Sequence, residues 1–169
     1  AGGARRARSS SLAYLAYLVL LVLLTAIERT WPGWLLIYDQ GPQLVAAAII
    51  SAGLCAGPVA GCFAGLIGAL LLGSAESAWL GGTFFAYMAL GTVVGLLRGT
   101  LLAERAPMAA LVTLAAVPIV EIIRLIFAAP PNPAPWVLQL LIAAPYSALL
   151  AMPVFAGFHW LTRLLAPEP

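Results

Sequence analysis

Glu121 and Arg124 form the one charged pair set inside an apolar run of this chain. Their spacing of three residues places them on a single helix face, where they can pair. An ionisable side chain at membrane depth is costly to place and marks an ion or proton site, or a contact with a partner helix. The competing reading is a self-compensated pair near a membrane surface, with Arg124 extending its apolar stem toward the interface. Buried polar residues elsewhere are too sparse to build a relay, so partner contact or structural pairing is preferred over a transport pathway. The remaining chemistry-bearing residues are scattered. Asp39 and Glu76 fall in two different connections without a nucleophile or metal motif beside them. His159, the single histidine, stands one turn before Arg163, where capping a helix end or touching a lipid headgroup suits it. Cys55 and Cys62 lie in apolar runs as small hydrophobes. No catalytic activity, metal or cofactor is expected.

The elements that must position these residues are membrane helices. The chain has 169 residues, 63% of them hydrophobic and only 8% charged, far below the roughly 25% charge of an ordinary globular domain. All eight basic residues are arginine, and a net charge of +2 gives no footing for nucleic acid. The composition predicts an all-α, polytopic membrane protein forming a single transmembrane domain over 1–169. Arg5, Arg6 and Arg8 lead into a long apolar run with no small-residue cleavage site behind it, so a cleaved signal peptide is not expected.

Hydropathy and punctuation predict spans over about 11–27, 43–56, 58–72, 83–97, 108–127 and 136–164. The second and third come from one uncharged stretch divided at Gly57-Pro58, where glycine ends one helix and proline opens the next. Charge parity favours the division. With six spans, Arg5, Arg6, Arg8, Arg98, Arg105 and Arg163 share one face of the membrane, and both termini are cytoplasmic. The two arms of this helical hairpin are short and need shielding by neighbours, or a locally thin bilayer. Trp31, Trp34, Tyr38 and Trp79 fit outer interfacial connections. Ala128 to Pro135 reads as an extended proline-rich turn, and Pro145 and Pro153 as kink sites in a long last span.

Glycine recurs every fourth residue at Gly53, Gly57, Gly61 and Gly65, and again at Gly91, Gly95 and Gly99. These are not nucleotide-binding loops, since the strand, lysine and terminal hydroxyl of such loops are missing. The spacing instead predicts close helix packing, one ladder against the other, with Gly57 assigned to the turn.

The order of these features resembles the MreD family of bacterial rod shape-determining membrane proteins. The match is carried by Pro42-Gln43-Leu44 opening the second span, Gly57-Pro58 followed by Gly61 and Gly65, Leu80-Gly81, and Gly91-Thr-Val-Val-Gly95-Leu-Leu-Arg98, which is similar to a Gly-Tyr-Leu-x-Gly-x-x-Arg ending in the family. Glu121 stands where family members often carry an acidic residue. The chain departs from the pattern at Gly73, where the family commonly has aspartate, with Glu76 three residues on. The resemblance covers about a third of the chain closely and the rest by layout. It implies a non-catalytic inner-membrane component of the cell-elongation machinery that binds the single-span protein MreC. RodA, its class B penicillin-binding partner and, indirectly, MreB would be further associates in peptidoglycan synthesis. Glu121, Arg124, Gly91, Gly95 and the lipid-facing surface around the two short arms are the expected partner-binding elements.

An alternative is the substrate-binding subunit of an energy-coupling factor transporter for a vitamin or metal. Such a subunit would hold its cargo in an outer cavity lined by Trp31, Trp34, Asp39, Glu76, Trp79 and Asn132, and should carry more convergent polar residues at the outer helix ends.

Overall fold

The computed structural model describes residues 2–32, 41–73, 80–99, 106–127 and 133–165, and asparagine, acidic and tryptophan positions Asp39, Glu76, Trp34, Trp79 and Asn132 lie outside them. Six α-helices account for nearly all of the described chain: α1 Gly2–Arg29, α2 Leu44–Ala56, α3 Pro58–Gly73, α4 Leu80–Leu96, α5 Ala106–Phe127 and α6 Pro133–Leu165, with a short 3-10 turn Leu97–Gly99 closing α4. Three stretches, Gly81–Gly99, Ala106–Phe127 and Leu140–Leu164, are long and apolar enough to cross a membrane. The protein is an all-α membrane protein.

Several helix boundaries differ from the sequence expectation, α4 starting at Leu80 and α5 at Ala106 a few residues early, and two differences have a clear cause. α1 continues backward to Gly2, nine residues before the apolar run begins at Ser11, since arginine and alanine sustain a helix well beyond the part that needs lipid. At the other end of the chain, Pro133, Ala134 and Pro135 form the first turn of α6 and not an extended segment. Proline is tolerated there because its missing N–H would have had no intrahelical acceptor. Pro118, Pro145 and Pro153 all sit inside continuous helices.

α2 and α3 are separate helices. The chain breaks at Gly57, whose φ of 91° and ψ of −175° belong to a region only glycine occupies readily. Its N–H still donates to the Gly53 carbonyl, and its own carbonyl accepts from Gly61 N–H at 3.0 Å, so both backbone groups of the turn residue are paired.

α2 is the core of the bundle. Every residue from Leu44 to Leu54 is buried, and α2 packs on α1, α3, α4, α5 and α6. The most extensive packing of all is between α3 and α4, and the two glycine ladders cause it. Gly61 and Gly91 are reciprocal: a Cβ on either would collide with the other's carbonyl. A Cβ on Gly65 would meet the Tyr87 carbonyl, and one on Gly95 would meet Pro58. This is the ladder-on-ladder packing the spacing predicts, with van der Waals contact between backbones standing in for a hydrophobic drive that lipid cannot supply. Buried hydroxyls in this interior satisfy themselves on their own helices, Ser51 on Ala47 and Thr113 on Ala109, both at 2.7 Å. Tyr17 of α1 stacks on Phe158 of α6 with centroids 5.3 Å apart, joining the first helix to the last.

Candidate functional site

The C-terminal ends of α1, α3 and α5 meet the N-terminal ends of α2 and α4, and there the polar residues converge. Glu28, in the last turn of α1, accepts a 2.7 Å hydrogen bond from the Val45 N–H of α2 through Oε2. A carboxylate in this place satisfies an orphan amide and complements the positive end of the helix. Its neighbour Arg29 donates to the Leu72 carbonyl at the end of α3, complementing the opposite pole. One dipeptide of α1 therefore holds both far ends of the α2–α3 pair.

Gln43, immediately before α2, ties in the other half of the bundle. Its backbone N–H donates to Ser147 Oγ of α6 at 2.8 Å, and its Nε2 donates to Glu121 Oε1 of α5 at 2.7 Å. Glu121 Oε1 also receives Arg124 Nη1 at 2.9 Å. The pair expected from the i, i+3 spacing is formed, and it faces inward to Gln43. Charge-assisted bonds of this kind are the strong ones, and they are strengthened further where the surroundings are apolar.

Glu28, Arg29, Gln43, Leu72, Gly73, Thr83, Tyr87 and Arg124 surround a cavity of about 220 Å³. Two guanidinium groups and a carboxylate face it together with an amide and two hydroxyl-bearing side chains, so it can take both an anionic and a cationic moiety. Gly73, where the MreD-like pattern has aspartate, forms part of its wall.

A second concavity is wholly different in character. On one side of the bundle, Leu15 and Leu18 of α1, Val59 and Phe63 of α3 and Phe158 of α6 line a groove of about 560 Å³ whose floor is Ala48 and Ala52. Its walls are nearly all hydrocarbon, and Leu15, Val59 and Phe63 are largely exposed at its rim.

Of the residues singled out from sequence, Arg124 lines the polar cavity and Glu121 is tied to it through Arg124 and Gln43, whereas Gly91 and Gly95 are enclosed between α3, α4 and α2. Buried between backbones, these two glycines offer no surface to a partner, which corrects the expectation that they bind one. His159 stacks on Phe155 with centroids 5.8 Å apart. Cys55 and Cys62 are free and half-buried. Among the described residues no three His, Cys, Asp or Glu side chains come together as metal ligands would. Glu28, Arg29, Gln43, Thr83 and Ser147 were not legible as a site. The available signal was adjacent opposite charges ending one apolar span and Pro42-Gln43 opening the next. In comparisons with protein-family models, curated proteins and solved structures, none matches this chain.

Proposed function

We propose that this chain is a non-catalytic scaffold of the bacterial cell-elongation complex, of the MreD type, which seats the transmembrane helix of MreC. It crosses the inner membrane six times, with both termini cytoplasmic, and acts through MreC on RodA and its class B penicillin-binding partner, with MreB reached indirectly. The observation that supports this reading is the apolar groove between α1 and α3. It lies on the short arms that the sequence singled out as the partner-binding surface, and a single apolar helix is the kind of object such a groove accommodates. Arg98 supports the crossing number: it lies 3.9 Å from where a Cβ on Gly57 would be, so the α2–α3 turn and an arginine share one end of the bundle, as positive-inside topology requires.

The test is retention of MreC in mild detergent. Filling the groove with Ala60→Trp or Ala64→Trp should reduce retention about tenfold or more, as the loss of a well-packed contact would. Leu114→Trp, on the exposed side of α5, should leave it unchanged. The reading is overturned if the unaltered chain retains no MreC, or if groove-filled, folded variants retain it equally.

The polar cavity favours a second reading, the substrate-binding subunit of an energy-coupling factor transporter. At about 220 Å³ it is smaller than the roughly 300–1,000 Å³ of sites for drug-sized ligands, which argues against a vitamin. Co-purification of an ATPase pair with a bound small molecule would establish this reading in place of the scaffold.

A further inference from the structure

The polar cavity has properties that helix capping alone does not require. A knot that only closed helix ends would fill its own space, yet here about 220 Å³ stays open among the charges. Two groups on its wall have unused hydrogen-bonding capacity. Gln43 Oε1 is buried and has no partner among the described residues, because its amide nitrogen is committed to Glu121. Thr83 is 3% exposed and lines the cavity. Its hydroxyl makes no bond to a described residue, whereas other buried hydroxyls in the bundle, those of Thr25, Ser51 and Thr113, donate to the carbonyl one turn back. A buried acceptor left unpaired is destabilising, a loss that an occupant with an N–H donor would recover.

The charges specify the rest. Arg29 has five N–H donors, of which the Leu72 carbonyl engages only the Nη2 side, so the guanidinium can also grip an anionic oxygen group. Glu28 presents a carboxyl group on the same wall, and Glu121 stands behind it, held by Arg124 and Gln43. A purely anionic ligand would be repelled by these carboxylates, and a purely cationic one by Arg29 and Arg124. A ligand carrying both signs a few ångströms apart is complementary to Arg29, Arg124 and Glu28 together.

We propose that this cavity binds a compact zwitterion, an anionic oxygen group with a primary ammonium close by, as in a phosphoethanolamine moiety. The anionic oxygens meet Arg29 and the Thr83 hydroxyl, and the ammonium donates to Gln43 Oε1 beside Glu28. Such a group exists both as the headgroup of an ethanolamine phospholipid and as a free phosphodiester. The cavity lies at the helix ends, the depth at which headgroups sit. The proposal does not rest on the scaffold reading, and its failure would leave MreC binding untouched.

The full-length chain, purified in mild detergent and exchanged into nanodiscs of phosphatidylcholine with or without phosphatidylethanolamine, is examined by native mass spectrometry and thermal unfolding. Soluble sn-glycero-3-phosphoethanolamine is added in a parallel series. Retained phosphatidylethanolamine in preference to phosphatidylglycerol and phosphatidylcholine identifies the lipid source. A thermal shift with the soluble diester, without retained lipid, identifies the free one. In either case Thr83→Val, which removes a hydroxyl that supports no other residue, should weaken binding about tenfold with an unchanged unfolding temperature in the absence of ligand. Gln43→Leu, which removes the unpaired acceptor, provides the second variant and should likewise weaken binding about tenfold. The proposal is overturned if neither probe binds, or if Thr83→Val and Gln43→Leu bind as the unaltered chain does.

Discussion

Glu28 and Arg29 are consecutive in the chain and cap opposite poles of two different helices, Glu28 at the N-terminus of α2 and Arg29 at the C-terminus of α3. Because α2 and α3 are joined at Gly57, this dipeptide closes the open end of a hairpin whose other end is covalent. Glu28→Ala should therefore destabilise the folded chain by about 1–3 kcal/mol, the cost of leaving the Val45 N–H unpaired. Glu28→Gln keeps an oxygen acceptor and should recover most of the loss. Reversible unfolding in a detergent titration measures both, and equal losses would argue against the capping role.

The Gly61–Gly91 contact predicts strong and non-additive effects. Gly61→Ala or Gly91→Ala forces α3 and α4 apart, at about 1–3 kcal/mol by overpacking. The double variant should lose less than the sum, because the second methyl enters a gap the first has already opened. Gly157→Ala is the control: nothing lies within 4 Å of its added methyl, and alanine in a helix gains up to about 1 kcal/mol over glycine.

At Gly57 the cause is the backbone and not space. Gly57→Ala must adopt φ 91° and ψ −175°, strain of order 1–3 kcal/mol for any residue with a Cβ, although nothing but Arg98 at 3.9 Å stands near the new methyl. Thermal unfolding should report the full loss, and a cysteine introduced nearby should react faster with a water-soluble maleimide as the turn loosens.

Glu121 and Arg124 should show coupling in a double-mutant cycle of Glu121→Gln and Arg124→Gln, within the 0.5–3 kcal/mol range of residues in one network. Gln43→Leu should lower the coupling, since the Glu121 oxygen that receives Arg124 also receives Gln43. A coupling energy indifferent to Gln43 would mean that the pair acts alone.

The helices and the ladder packing were legible in the sequence because their causes are local. Apolar length, a Gly-Pro break and a four-residue glycine repeat each act within one segment, and charge parity with Arg98 and Arg105 favoured dividing the uncharged stretch into two arms. The i, i+3 relation also exposed the Glu121–Arg124 pair. The cavity was not legible, because it is assembled from five helix ends whose members look ordinary one at a time. Glu28 and Arg29 read as the start of a connection, Gln43 as the residue before a helix, and Thr83 and Ser147 as minor polar residues in apolar runs. Only the antiparallel stacking of α1, α3 and α5 against α2 and α4 makes them neighbours. The same stacking hides Gly91 and Gly95, which a one-dimensional reading could place on a surface.

The enclosure of α2 also bears on how the molecule is assembled. A helix surrounded by α1, α3, α4, α5 and α6 cannot reach all its final neighbours until α6 has been made, after the other five. Until then its uncharged face must rest against lipid or a chaperoning surface, and the Gln43–Ser147 bond, spanning 104 residues, is a closure that can form only once α6 is present. Damage to α6 would accordingly be felt first at α2, and a nascent chain stalled before Ser147 would present quality-control proteases with an N-terminal half that is inserted but not yet enclosed.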